Sequence, residues 1–461
     1  MNASKTDTCH CIVRHPDKAK FLAVKHEESW SPPVLMFPSG QIDFLSYTIN
    51  QGMLDKYGLQ TRILRPIIHL PNYHCVEMEL AAAKSSRNIK AVWVDQAEYL
   101  RTRSLYEGVP DPFELWFEEQ EAGKPVKNRP PFHKPGWFSQ ADHWIHFQLD
   151  RLGIQVTGSV EQYRQGWTAS SLLRVPTSQG WIYFKAAYEA PPGEAVLTDR
   201  LAQSWPRLVN SPLVIDAQRN WMLNRDFRAE GPERIVAEQL PDFARKLAEW
   251  QIDSRQSLQQ WKTLGCREFT LGDFGQYCEQ QENYRDRVRE GGGGLNDSEW
   301  TSLTAAMDKM HEVIAVLENT GIPSSLVHTD FRTDNMAIAN GELRVLDWSD
   351  PIIAHPFLVL GRVFTDHAAC KRGRDTGPGG MSIDDGLYQQ IIDAYLEPFA
   401  PLSSRADLLL ALDAARKLDA LWMLMRVIHR MNLTEAMSPH YYRLVFTVQA
   451  RARKLIRDFV G

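Results

Sequence analysis

Alternating apolar and polar positions dominate the first hundred residues, and helical spacing takes over later. "CHCIVRH" and "KFLAVKH" flank the turn "PDKA", which predicts a hairpin, and "PVLMFP" predicts a further strand. Leu45, Ile49, Met53 and Leu54 recur at helical spacing, with Gly58 placed to end that helix as a C-terminal cap. Strands are expected at "RILRPIIHL", "HCVEMELAAA" and "KAVWVD", then a helix at "QAEYLRTRS". Residues 9–105 therefore predict a small α/β unit.

Residues 121–137, "EAGKPVKNRPPFHKPGW", hold four prolines among basic and polar residues, which is linker composition. An amphipathic helix follows at "WFSQADHWIHFQLDRLG", then strand-like segments at "SLLRVPT" and "WIYFKAAY". From about Pro241 the pattern is mostly helical, interrupted by glycines 291–294 and by "RGRDTGPGGMSIDD". No strand precedes these glycines and no phosphate-binding helix start follows, so they predict loops rather than phosphate cradles. The expected class is α+β: an N-terminal unit over 1–120, a linker over 121–137, a strand-containing lobe over 138–226 and a helical lobe over 227–461.

The totals narrow the classes. A chain of 461 residues exceeds a single core and suggests about two to four domains. Hydrophobic content of 43% and charged content of 24% match packed globular proteins. A net charge of −5 and the lack of a basic stripe argue against nucleic acid as a partner. No run approaches 18 apolar residues and "MNASKTDTCHCIVRH" has no apolar leader core, so neither membrane nor secretion is expected, and the cytoplasm is. Six cysteines in so long a chain do not make a disulfide framework. Alternation puts Cys9, Cys11 and Val13 on one strand face, and the spacing of Cys9 and Cys11 is too tight for paired zinc ligands.

The stretch "SLVHTDFRTDNMAIANGELRVLDWSD", residues 325–350, sets five carboxylates beside two apolar runs that read as buried strands. Charge taken out of water needs a partner, and a divalent cation serves several oxygens at once. His328, Asp330 and Asn335 have the spacing of a kinase catalytic loop, and Asp347 follows twelve residues after Asn335. The "GELR" turn between "NMAIA" and "RVLDW" predicts a hairpin that brings Asn335 and Asp347 to neighbouring strand ends. In phosphoryl transfer Asp330 would orient the acceptor hydroxyl or take its proton, Asn335 and Asp347 would hold magnesium, and His328 would brace the loop. Asp334 reads as a solvated loop residue, Asp350 as a cap for "PIIAHPF" or a ligand for metal or a cationic substrate, and His355 as a packed histidine.

"VHTDFRTDN" and "LDWSDPIIAHPF" resemble the aminoglycoside phosphotransferase family, which shares the protein-kinase-like fold, over residues 133–461. The resemblance implies ATP or GTP with Mg2+, and a small hydroxylated metabolite as acceptor. Arg332 stands where a histidine is common, and its guanidinium suits the γ-phosphate. "HPFLVL" lacks an aspartate common in the family, which moves the acceptor away from antibiotics. The resemblance assigns Lys185 to the α- and β-phosphates with Glu194 holding it, Gly166 and Ser170 of "YRQGWTASSLLRV" to the covering loop, and the backbone at Leu223 and Asn224 to the purine edge. Asp366, Asp384 and Asp385 are candidates to meet an acceptor amine.

"FPSGQID", the helix ending "YGL" and "VWVDQAEYL" resemble the Nudix fold. Gln51, Gly52, Asp55 and Lys56 stand where that family places glutamates, so the unit is expected to be Nudix-like in shape and inactive in hydrolysis. Two other readings stay open: a nucleotide-binding regulatory protein without turnover, and Nudix-type hydrolysis. Acceptor identity and oligomeric state have no readable code.

Overall fold

The computed structural model describes all residues except 1–5, 27–28, 39–45, 71, 82–88, 103–110, 122–128, 166–169, 189–192, 227–235, 292, 340–341, 375–379, 434–438 and 461. The fold is mixed α+β, in two compact units. The first is Met1–Tyr188, Gln218–Asp226 and Thr434–Tyr442; the second is Glu189–Ala217, Phe227–Leu433 and Arg443–Gly461.

The first unit opens with β1 (Thr6–Val13), β2 (Phe21–His26), β3 (Ser29–Ser31), β4 (Val34–Pro38), α1 (Ser46–Tyr57), β5 (Thr61–Leu70), β6 (Tyr73–Leu80), β7 (Ala91–Val94), α2 (Gln96–Thr102) and α3 (Pro112–Glu121). One sheet has the order β4-β1-β6-β5, with β1 and β6 parallel, and a smaller one the order β3-β2-β7. The expected β1–β2 hairpin shrinks to a single bridge, Arg14 with Phe21. The reason is that β1 already pairs with β4 on one side and β6 on the other, leaving no free edge for β2. Alternation does sort the side chains as expected: Cys9, Cys11 and Val13 join Ile49 and Met53 of α1 in one core, while Ile12 joins Trp116 and Phe117 of α3 in another. Gly58, at φ 64°, ends α1 with its N–H on the Leu54 carbonyl.

The same unit continues with α4 (Trp137–Arg151), β8 (Glu161–Gln165), β9 (Ser170–Thr177) and β10 (Gly180–Ala187). The second unit then contributes α5 (Glu194–Ser204) and β11 (Val214–Asp216), and β12 (Trp221–Arg225) returns to the first. Strands β12, β10, β9 and β8 lie in that order, antiparallel, with Trp144 and Trp221 packed edge-on against Phe184. Gln162 of β8 is buried and brackets the backbone of Ile63: its Oε1 accepts from the Ile63 N–H at 2.9 Å and its Nε2 donates to the Ile63 carbonyl at 2.8 Å. One side chain thus serves as an extra rung on β5.

The second unit holds α6 (Leu240–Ser254), α7 (Leu258–Thr263), β13 (Arg267–Glu268), α8 (Leu271–Glu279), α9 (Arg285–Arg289), α10 (Asp297–Asp308), α11 (Met310–Asn319), β14 (Ser325–Val327), β15 (Met336–Ala339), β16 (Glu342–Val345), β17 (Ile352–Ala354), α12 (Gly361–Lys371), α13 (Asp385–Leu396), α14 (Arg405–Leu433) and α15 (Pro439–Val460). Buried Gln251 of α6 donates to the Pro356 carbonyl at 3.0 Å and accepts from the Tyr395 hydroxyl at 2.6 Å, tying α6 to α13 through a buried polar contact. Among the described residues no helix is long and apolar enough to cross a membrane.

Candidate active site

β14, "SLV", is wholly buried and pairs with β17, which is also wholly buried, and the chain emerges from the core only after buried His328, at half-buried Thr329 and Asp330. β15 and β16 form the expected hairpin, with Met336 opposite Val345. The ladder runs one step further, because the Leu346 N–H donates to the Asn335 carbonyl at 2.8 Å. That bond fixes Asn335 and Asp347 at adjacent strand ends.

His328 is buried. Its Nε2 lies 2.9 Å from the Leu346 carbonyl, and its Nδ1 accepts the Asp330 N–H at 3.3 Å. A ring that donates at one nitrogen and accepts at the other is neutral, in keeping with burial, which lowers its pKa against the opposing pull of the Leu346 carbonyl, Asp347 and Asp330. It also stands edge-on to Trp348 at 4.7 Å. The histidine therefore braces the Asp330 loop against the Asp347 strand end.

Asp330 is half-buried, and among the described residues no ion pair reaches its carboxylate. Asn335 Nδ2 donates to the Asp330 carbonyl at 2.9 Å and to its Oδ2 at 3.2 Å. Both amide hydrogens are thereby committed, and Oδ1 of Asn335 is left as the acceptor. Asp347 has φ 61°, in the left-handed region that costs most residues energy and that aspartate, with its short polar side chain, tolerates better than most non-glycine residues. Trp348 anchors it from below: it is buried, donates Nε1 to the Val345 carbonyl at 3.1 Å and packs on Trp250.

Two neighbours, Asp334 and Asp350, differ from the sequence reading, while His355 is the packed histidine expected. Asp334 is paired with Arg332 rather than merely solvated, so the guanidinium expected at the γ-phosphate rests against its own loop. Asp350 does not cap the following segment; its Oδ2 accepts from Arg426 Nε of α14 at 2.8 Å, and its carbonyl accepts from the Thr329 hydroxyl at 2.7 Å. The cap belongs to His355, whose Nδ1 accepts the Phe357 N–H, and whose burial pulls its pKa down to about 3. Arg426 and Thr329 carried no signal in the sequence, because nothing in a motif points across 76 residues to an ion pair.

Lys185 stands on β10 opposite Leu172 and Met222. Register puts Lys185, Ser170 and Asn224 on one sheet face, half-buried, while Leu223 points with Phe184 into the opposite, buried face. These residues belong to the first unit. Glu194 is buried as the first residue of α5, in the second. Gly166 lies outside the described residues, as does most of "FPSGQID".

No family model and no curated protein matches the chain. Solved structures with similarity include a choline/ethanolamine kinase family protein from Mesorhizobium loti (14% identity over 65% of this chain and 89% of that one, TM-score 0.40). A thermostable mutant of the aminoglycoside phosphotransferase APH(4)-Ia has 17% identity over 68% and 99%, TM-score 0.42. The macrolide 2'-phosphotransferase MphH from Brachybacterium faecium has 12% over 67% and 98%, TM-score 0.43. Likenesses at this level fix neither fold family nor activity.

Proposed function

We propose that the protein is a phosphotransferase that moves the γ-phosphate of ATP or GTP to a hydroxyl of a small molecule. The observation that carries this reading is the joint placement of Asp330, Asn335 and Asp347: the hairpin sets the last two side by side, and the Asn335 amide holds the first. In this reading Asp330 aims the acceptor hydroxyl; its oxygen attacks the γ-phosphorus, the bond to the bridging oxygen breaks, the nucleoside diphosphate leaves and Asp330 takes the proton. Asn335 Oδ1 and the Asp347 carboxylate are two hard oxygens, which suits magnesium. Among the described residues no group of three or more His, Cys, Asp or Glu could hold a metal, so phosphate and water would complete the coordination. When bound, that ion neutralises phosphate charge.

Lys185, Ser170, Leu223, Asn224 and Gly166 are assigned to the nucleotide in the same proposal, with Glu194 in support and Arg332 at the γ-phosphate once it parts from Asp334. The N-terminal module has no part in the chemistry. On α1, Gln51 Nε2 donates to Asp55 Oδ1 at 2.8 Å and Lys56 Nζ to the Val34 carbonyl at 2.8 Å, so the helix satisfies itself where a diphosphate hydrolase needs bare carboxylates. The test is a phosphorylation screen of hydroxylated metabolites with labelled nucleotide, wild type against Asp330→Asn. Acceptor labelling by wild type alone supports the proposal. Magnesium-dependent stabilisation by ATP with no acceptor labelled would replace it with a non-catalytic nucleotide-binding role.

A further inference from the structure

Asp350 sits three residues after Asp347, and three arginines from distant parts of the second unit converge on it. Arg426 of α14 is hydrogen-bonded at 2.8 Å; Arg267 of β13 and Arg430 of α14 approach at 3.7 and 3.8 Å, beyond hydrogen-bond reach. One guanidinium would be enough to pin α14 to this loop. Arg267 adds like charge beside it, is 45% exposed, and gives its one described hydrogen bond, at 3.1 Å, to the imidazole of His429. Arg430 is 37% exposed and Arg426 only 14%, so Arg267 and Arg430 present the accessible planar guanidinium groups of an array suited to a second, larger anion. The array is joined to the catalytic loop, because the Thr329 hydroxyl donates to the Asp350 carbonyl one residue before Asp330.

The carboxylates that would serve a cationic acceptor are occupied. Asp366 is buried, accepts the Met381 N–H at 3.0 Å and pairs with Arg362 at 2.8 Å. Asp384 caps α13 through the Leu387 N–H at 2.8 Å, and Asp385 pairs with His367 at 2.7 Å and Lys371 at 3.3 Å.

We propose that Arg267, Arg426 and Arg430, held together by Asp350, bind an anionic group of the acceptor, a phosphate monoester or a carboxylate. The inference rests on the phosphotransferase reading for the word acceptor, but not for the anion site itself. The experiment titrates the full chain with inorganic phosphate and, separately, with malonate, following binding by calorimetry in wild type, Arg267→Ala, Arg430→Gln and Asp347→Ala. Saturable binding of either anion that weakens at least tenfold in Arg267→Ala and Arg430→Gln, and persists in Asp347→Ala, is the expected result. Phosphate alone identifies a phosphorylated acceptor, and malonate alone a carboxylate. Absence of saturable binding, or equal binding in wild type and Arg267→Ala, overturns the proposal. Arg267 is half-exposed, so its substitution should leave the fold intact, as an unchanged melting temperature would verify. Magnesium-dependent nucleotide binding, measured in parallel, fails or succeeds independently and reports on the phosphotransferase reading alone.

Discussion

Glu77 in the first unit and Asp330 in the second are both carboxylates set beside core strands, and the chain treats them in opposite ways. Glu77 is fully buried and accepts hydrogen bonds from Arg65 at 2.7 Å, Arg129 at 2.9 Å and Trp116 at 3.0 Å, with Arg14 at 3.7 Å. Burial pushes its pKa up, but the charges of Arg65 and Arg129 and the hydrogen bonds of Arg65 and Trp116 outweigh that and bring it to about 2. Asp330 has one neutral amide on its carboxylate and no cation among the described residues. A carboxylate saturated by fixed guanidinium groups is locked into structure; one left with a single neutral donor can still direct a hydroxyl. On the proposed phosphotransferase reading, the molecule carries its chemistry where its own partnering is least complete.

The largest expected effect tests that difference at Asp330. Asp330→Asn should lower phosphoryl transfer by about 10²- to 10⁴-fold, the range for losing a positioned base, with melting temperature and nucleotide affinity unchanged. A parallel loss of stability would place Asp330 with Glu77 as a structural group. Glu77→Gln should do the reverse. It leaves Arg129 without its carboxylate and Arg65 with Glu119 alone, and unfolding should become easier by about 3–5 kcal/mol in denaturant titration, with turnover per folded molecule intact. The pH dependence has a defined sign. The folded pKa of Glu77 lies below the ordinary 4.5, so its stabilisation is complete above that value and lost as pH falls toward about 2.

Another buried carboxylate sharpens the contrast. Asp419 of α14 lies against Gly361, where an added Cβ would come within 2.3 Å of its Oδ1. Desolvation raises its pKa to about 6, only partly opposed by Lys454, Arg451 and Arg426. Here the folded state holds a proton that the unfolded chain releases, so the contribution to stability declines as pH rises from about 3.8 through about 6. Asp419→Asn should flatten that part of a melting-temperature profile; a profile unaltered by the substitution would show that the carboxylate finds a partner on ionising.

Local patterns were legible wherever chemistry and spacing are local. The hairpin joining Asn335 to Asp347, the opposed faces of Cys11 and Ile12, and the cap at Gly58 all follow from neighbours within a few residues. What escaped was set by distant partners. β1 gives up its hairpin because β6 occupies its edge, Asp350 is claimed by Arg426, and Gln162 bonds to Ile63 across 99 residues. The pairing of Arg332 with Asp334 escaped for another reason: two residues apart in a loop, they meet only because that loop turns tightly at residues 333–335.

The smallest expected effect separates backbone strain from chemistry at Asp347. A residue at φ 61° without a short polar side chain costs roughly 1–2 kcal/mol, whereas glycine takes that conformation freely. Asp347→Ala should thus destabilise the second unit by about 1 kcal/mol, while Asp347→Gly should be close to neutral. Both remove the carboxylate, so both should weaken magnesium-dependent nucleotide binding to the same degree. Thermal melts and nucleotide titrations on the two variants separate the contributions: equal binding losses with unequal stabilities assign the carboxylate to the ligand and the left-handed turn to the fold. If glycine preserved binding that alanine lost, the turn and not the carboxylate would be the functional element, and Asp347 would join Glu77 on the structural side of the comparison.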